Sequence, residues 1–289
     1  MNTRIQRQRC YQPGKIRVYP LATPPRSLWF KFAVSFRVLG VFRGFCCLMF
    51  LSPAFCLSAT PITFQSSETQ TSLIELYTSE GCSSCPPAET WLSRLKESPG
   101  LWKEFVPVAF HVDYWDYLGW RDPWSSKNFT DRQHTYARAW RSDSVYTPGF
   151  VLNGKEWRAW SRSKSIPPST VKPGALKVSS ADLKNWDVSF TPDTPSNESY
   201  EARAALLASG LTSDVKAGEN KGHRLEHDFI VISLNECMLK PNENIVQGRF
   251  ELKLANKEPG RASALAVWVT HHGKLQTLQA TGGWLPSSH

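Results

Sequence analysis

The chain has 289 residues, a formal net charge of +9 and a sequence pI of 9.2, values that suggest a polyanion-binding protein. The excess charge is confined to one end: nine Lys and Arg residues (Arg4, Arg7, Arg9, Lys15, Arg17, Arg26, Lys31, Arg37, Arg43) precede the first acid, Glu68. Residues 60–289 are therefore net neutral, which removes the electrostatic case for a nucleic-acid partner.

Residues 44–57 form an apolar core behind Arg37 and Arg43 and are followed by Ser58-Ala59. This is the order of a secretory signal peptide, and the core is short for a membrane span of about 20 residues. Residues 1–59 are read as a leader cleaved after Ala59, which leaves no stable membrane span and a periplasmic or secreted protein. A start near Val34 or Val38 would give a leader of ordinary length, with residues 1–33 a start-site artefact. Phe55 before Cys56 argues against lipidation. Cleavage removes Cys10, Cys46, Cys47 and Cys56, so Cys82, Cys85 and Cys237 remain, too few for a disulfide scaffold. In an oxidising compartment Cys82 and Cys85 are expected to pair, and Cys237 reads as a buried, inert thiol.

A run of strand formers (Leu73, Ile74, Leu76, Tyr77) breaks at Gly81, then Cys82-Ser83-Ser84-Cys85 leads into a helical pattern over about 86–97. That order puts Cys82 at a helix N-terminus, where free N–H groups and the dipole favour a thiolate. Cys85, three residues on, is placed to resolve a mixed disulfide. Zinc half-sites and structural staples share the spacing. Phe105–Phe110 reads as a strand ending at His111-Val112-Asp113, and 123–142 as mainly helix. Val145–Pro148 leads into a strand, Gly149–Leu152, with Asn153-Gly154 as a hairpin signal. Residues 161–174, rich in Ser, Pro and Lys, read as a linker. Beyond it, alternation at Trp186, Val188, Phe190 and at Phe250, Leu252, Leu254 predicts antiparallel strands. Ala202–Leu207, Phe229–Leu234, Ala264–Thr270 and Leu275–Ala280 are further strands, and the charged stretch Ser213–Glu226 a long loop.

Strand, Cys-x-x-Cys, helix and then Thr147-Pro148 before a hairpin strand together resemble the thioredoxin-like superfamily. The resemblance implies a cis-proline at Pro148, beside the cysteines. Glu75–Ala88, Ala109–Trp120 and Val145–Pro148 further resemble an exported bacterial family, domain of unknown function 1223, most strongly over about 70–160. The implied fold class is α/β. A thioredoxin-like domain (60–160), a mixed sheet with flanking helices, is followed by the linker and a small antiparallel β-sandwich-like domain (175–289). Ser161–Pro173, with three prolines, stands where such a unit would place its closing helix. The C-terminal strands are expected to cover the face left open.

The expected function is an exported thiol–disulfide oxidoreductase with Cys82 as nucleophile, Cys85 as resolving thiol and Pro148 beside them. Its partner would be a protein or a small thiol. Ser83-Ser84 supplies no cation to stabilise a Cys82 thiolate, so a moderate oxidant is expected. Glu75 is either a buried carboxyl with a raised pKa, exchanging protons with Cys85, or a solvated strand residue. One alternative is copper(I) or zinc binding and delivery through Cys82, Cys85 and His111, with Asp113 on the same rim. A non-catalytic thioredoxin-like binding module is another. Tyr114, Trp115, Tyr117 and Trp120 read as packing rather than a peptide-binding wall, and His223, His227, His271 and His272 as surface residues. No cofactor motif stands out.

Overall fold

Strand-forming runs dominate the chain, and the computed structural model, which describes residues 60–163, 165–252 and 262–286, follows them. The expected leader and Leu254 lie outside the described residues. In chain order the elements are β1 (Ile62–Gln65), β2 (Ser72–Thr78), α1 (Pro86–Ser93), β3 (Phe105–His111), α2 (Lys127–Trp140), β4 (Gly149–Leu152) and β5 (Lys155–Glu156). The second half holds β6 (Gly174–Ser180), β7 (Asn185–Pro192), β8 (Tyr200–Ser209), β9 (Leu211–Asp214), β10 (Arg224–His227), β11 (Ile230–Asn242), β12 (Ile245–Glu251), β13 (Ala262–His271) and β14 (Thr277–Trp284). The architecture is a mixed sheet with few helices, richer in strands than the expected helix-flanked sheet.

β2 and β3 pair in parallel from Ser72↔Phe105 to Thr78↔His111, and every residue of both is buried. Parallel strands covered on both faces read as unbroken apolar runs, which is what Leu73–Tyr77 and Phe105–Phe110 are. β4 pairs antiparallel with β2 and turns into β5 at Asn153 (φ 49°) and Gly154 (φ 87°), a turn that needs two residues tolerant of positive φ. α1 opens with prolines in its first turn, where their missing N–H costs nothing. α2 is capped by Ser126, whose hydroxyl accepts from the Asn128 N–H, and it buries Phe129, Gln133, Tyr136 and Ala137 along one stripe.

Side chains alternate across a strand. Thr78 therefore meets Glu89 of α1 on one face, while Glu75 and Tyr77 meet Arg132 and Tyr136 of α2 on the other.

The strands read as a separate C-terminal sandwich extend this same sheet. β11 lies parallel to β3 at Ile230↔Ala109 and antiparallel to β8, which pairs with β13 and through it β14. Further along, β11 pairs with β12, and the order continues through β7 and β6 to β1. β8 and β13 feed two cores. Ala205, Leu207, Ala264, Ala266 and Trp268 pack with Leu73, Leu76 and Phe110; Ala204, Leu206, Leu265 and Val267 pack with Trp186, Val188 and Phe190. That double duty explains why Tyr200–Ser209 is buried almost throughout.

Two segments read as irregular are tied into the fold. In 161–174, the Val171 carbonyl accepts from Gln70 N–H (2.9 Å) and the Ser169 hydroxyl donates to Gln70 Oε1 (2.9 Å). Ser213–Glu226, expected to be a loop, instead carries a hairpin: β9 and β10 pair from Leu211↔His227 to Asp214↔Arg224. Leu211, Ser213, Leu225 and His227 face inward, and the charged residues between them masked the period-2 signal.

Because the first core takes Ala205, Leu207, Phe229, Val231 and Trp268 from the second half, residues 60–165 alone would expose a large apolar area. We expect that fragment to aggregate or to melt without a cooperative transition. A soluble monomer with a sharp calorimetric peak would contradict this shared core.

Candidate functional site

Two tight turns follow β2. The Cys82 N–H donates to the Ser79 carbonyl (3.2 Å) and the Cys85 N–H to the Cys82 carbonyl (3.2 Å). They bring the cysteine Cα atoms to 5.5 Å, within disulfide range, and the two sulfurs are bonded. Cys85 is the N-cap of α1, so Cys82 stands one turn ahead of the helix rather than in it. The Ser84 hydroxyl lies 3.3 Å from the Cys82 sulfur.

Both cysteines are covered, Cys82 at 1% exposure and Cys85 at 0%. On one side, a Cβ added at Gly81 would come within 2.8 Å of the Trp115 Cβ, so glycine is required there. The Trp115 indole N–H donates to the Thr147 hydroxyl (2.8 Å), and the Thr147–Pro148 bond beside it is cis. On the other side, the segment joining β9 and β10 lies over the turn. Glu219 Oε2 accepts from the Ser83 N–H (2.9 Å) and hydroxyl (2.7 Å), and Asn220 Nδ2 donates to the carbonyls of Glu80 (2.8 Å) and Cys82 (3.0 Å).

Beneath the cysteines is a buried polar cluster. The Glu89 N–H donates to the Cys85 carbonyl (3.1 Å), which places Glu89 one helical turn along α1. The His227 ring lies between Glu89 Oε2 (Nδ1, 2.5 Å) and Glu80 Oε1 (Nε2, 3.0 Å). Burial works against a charge on His227, but hydrogen bonds to Glu80 and Glu89 raise its pKa to about 10, so it is an imidazolium at neutral pH. Burial likewise opposes ionisation of Glu89; the His227 hydrogen bond overrides it and holds the carboxyl below its ordinary value. The Glu80 carboxylate also accepts from the Trp120 indole (2.6 Å), and Glu89 from the Thr78 hydroxyl (2.5 Å). Asp122 Oδ2 accepts from His111 Nδ1 (2.7 Å) and from the Glu80 N–H (2.9 Å).

Cys82, Cys85 and Pro148, singled out by sequence, are thus linked through Gly81, Trp115 and Thr147. Glu75 is not with them. It lies on the α2 face, where its oxygens accept from Arg132 Nε (2.8 Å), Arg132 Nη2 (3.0 Å), the Tyr136 hydroxyl (2.5 Å) and the Tyr77 hydroxyl (3.0 Å). The expected proton exchange with Cys85 is corrected by that geometry: the sheet stands between Glu75 and α1. The carboxyl one helical turn from Cys85 is Glu89. His227 is corrected too, since it is buried rather than on the surface; His223 is exposed, His271 half-buried against Tyr200, and His272 hydrogen-bonds Glu201 (2.9 Å). Asp113 accepts from the Thr130 hydroxyl (2.6 Å), while His111 is grouped with Glu89 and His227. Tyr114 donates to Gln133 (3.3 Å), while Tyr117 stands 78% exposed. Glu80 and Glu89 flank the cysteines closely enough to have been noticed. No local signal marks Asn220 or His227, since the His227–Glu89 pair spans 138 positions.

Two variants test these contacts. Arg132→Ala strands the buried Glu75 carboxylate and should lower stability by about 3–5 kcal/mol; urea melts that match wild type would contradict the pairing. Asn220→Ala removes two hydrogen bonds of about 1 kcal/mol each, so dithiothreitol should reduce the disulfide roughly 30-fold faster. An unchanged rate would mean that the β9–β10 segment does not control access.

The family described as Protein of unknown function (DUF1223) matches residues 73–270, more than half of the chain. No curated protein matches. Among solved structures, a crystal structure of an Agrobacterium tumefaciens protein is similar, with TM-score 0.52 and 22% identity, over 76% of this chain and 95% of that one. HBP35 of Porphyromonas gingivalis is similar with TM-score 0.53 and 13% identity, over 76% of each chain. At these identities the likeness concerns the fold. Among the described residues, no helix is long and apolar enough to cross a membrane.

Proposed function

This chain belongs to that family, and we propose that it is an exported thiol–disulfide oxidoreductase whose N-terminal half is thioredoxin-like. The observation that carries the reading is the bonded Cys82–Cys85 pair at the start of α1, directly after a buried parallel strand and linked through Trp115 to the cis Thr147–Pro148 bond. The apolar core behind Arg37 and Arg43 supports export, and an oxidising compartment is where such a pair persists as a disulfide.

In the oxidant direction, one thiolate of a substrate dithiol attacks the Cys82 sulfur, and the Cys82–Cys85 bond breaks with Cys85 leaving as a thiolate. The second substrate thiol loses its proton and attacks the substrate sulfur of the mixed disulfide, expelling Cys82. Two electrons have moved from the substrate dithiol, now a disulfide, to the cysteine pair, which takes up two protons. The reverse sequence reduces a substrate disulfide. After the oxidant direction a disulfide of a partner protein or small thiol takes the two electrons back, and after the reverse direction the thiols of such a partner supply them.

The surroundings favour a moderate oxidant. Ser83 and Ser84 bring no cation, Cys82 stands one turn ahead of the helix dipole, and the Glu219 carboxylate is bonded to Ser83. The covered state of Cys82 favours a second reading, in which the disulfide only staples the turn of a binding module.

One experiment separates them. Full-length protein equilibrated with glutathione buffers should exchange its disulfide, and Cys85→Ala should accumulate a glutathione adduct on Cys82 that wild type resolves. A disulfide that stays intact across the glutathione series while the protein remains folded would leave the staple.

A further inference from the structure

The cluster under α1 contains one atom that its hydrogen bonds do not use. His111 is fully buried, its Nδ1 faces Asp122, and its Nε2 has no partner among the described residues. A nitrogen of His111, a carboxylate oxygen of Glu89 and a nitrogen of His227 lie within 4.8 Å of one another. With Nδ1 committed to Asp122, Nε2 is the His111 atom left to point there. The rings of His111 and His227 meet edge to face with centroids 5.2 Å apart.

Charge favours a cation at that point. Glu80, Glu89 and Asp122 are all buried, and among the described residues their ion pairs are with His111 and His227 alone. Each candidate ligand is also held from behind: His111 by Asp122, Glu89 by the Thr78 hydroxyl, and His227 by Glu80, itself bonded to Trp120. A carboxylate behind a histidine fixes the tautomer and aims the other nitrogen at a metal.

We propose that Glu89, His111 and His227 form a binding site for a divalent transition ion of the zinc class. Two imidazoles and a carboxylate, without sulfur, are a donor set that such ions accept, with a fourth position for Glu80 or water. Binding displaces the proton between His227 and Glu89, and their oxygen and nitrogen turn from each other to the ion. The site differs from the Cys82, Cys85 and His111 set considered from sequence, because neither cysteine belongs to the group. Its three ligands come from α1, β3 and β10, so the ion would pin the hairpin that carries Glu219 and Asn220 to the cysteine helix. The site does not depend on the redox reading.

The test uses full-length protein with its disulfide intact, stripped with chelator and titrated with Co2+ and then Zn2+. We expect one Co2+ per chain, visible d–d bands, no sulfur-to-cobalt charge-transfer band, and displacement by Zn2+. Glu89→Gln, checked for folding by circular dichroism, should bind roughly 100-fold more weakly. The double variant Cys82→Ser, Cys85→Ser should bind as wild type does. Failure of the wild-type chain to take up stoichiometric Co2+ or Zn2+ overturns the proposal, and needs no variant to be read. So does a sulfur-to-cobalt band, loss of binding in the cysteine variant, or full affinity in folded Glu89→Gln. A disulfide inert to glutathione would sink the oxidoreductase reading and leave this result untouched.

Discussion

The placement of the cysteines depends on one buried imidazole. His227 donates from both ring nitrogens, to Glu80 ahead of the cysteine turn and to Glu89 in the helix behind it. Buried charges are costly unless each is paired, and removing one strands the others. The cluster therefore works less as a source of stability than as a specification. The turn, the helix and the β9–β10 hairpin satisfy all these groups together only in this arrangement. Asp122 extends it by accepting from the Glu80 N–H and from His111.

The cover over Cys82 follows from that anchor. With His227 fixed at the end of β10, the segment leading into it reaches the cysteine turn, and Asn220 finds two backbone carbonyls there. The segment itself is lightly held. Gly218 and Gly222 take positive φ (76° and 84°), Glu219 is exposed, and between Lys216 and His223 only Asn220 is buried. A rigid base with a thin cover is the arrangement from which local opening is cheapest. Access to the disulfide is thus coupled to the C-terminal half, which no isolated N-terminal unit would reproduce.

The opposite face of the sheet carries an independent anchor. Arg132 binds both oxygens of Glu75 and lies over the rings of Phe110, Tyr136 and Trp268, at 5.4, 5.3 and 5.5 Å from their centroids. Trp268 belongs to β13, so this ion pair also ties α2 to the second half. The two faces of β2 serve different ends: Thr78 supports the cluster beside the cysteines, Glu75 the junction with α2.

Local features were legible because local forces set them. The strand before Cys82, the helix after Cys85, the strand Phe105–His111 and the Asn153-Gly154 turn are each dictated by side-chain period, proline or glycine within a few residues. The bonding of Cys82 to Cys85 belongs to the same class, since three residues separate them. Glu75 shows where this stops. Sequence placed a carboxyl in a buried strand seven residues before Cys82, but which face it took depended on register, and register put it against Arg132. His227 shows it more sharply. Its pattern with charged neighbours reads as a solvated loop, and only the pairing of β9 with β10 and of β11 with β3 carries it to Glu80 and Glu89. Sequence determined the cysteine turn and the elements around it; tertiary structure decided which ionisable groups lie against it and what covers it, because those contacts join residues about 140 positions apart.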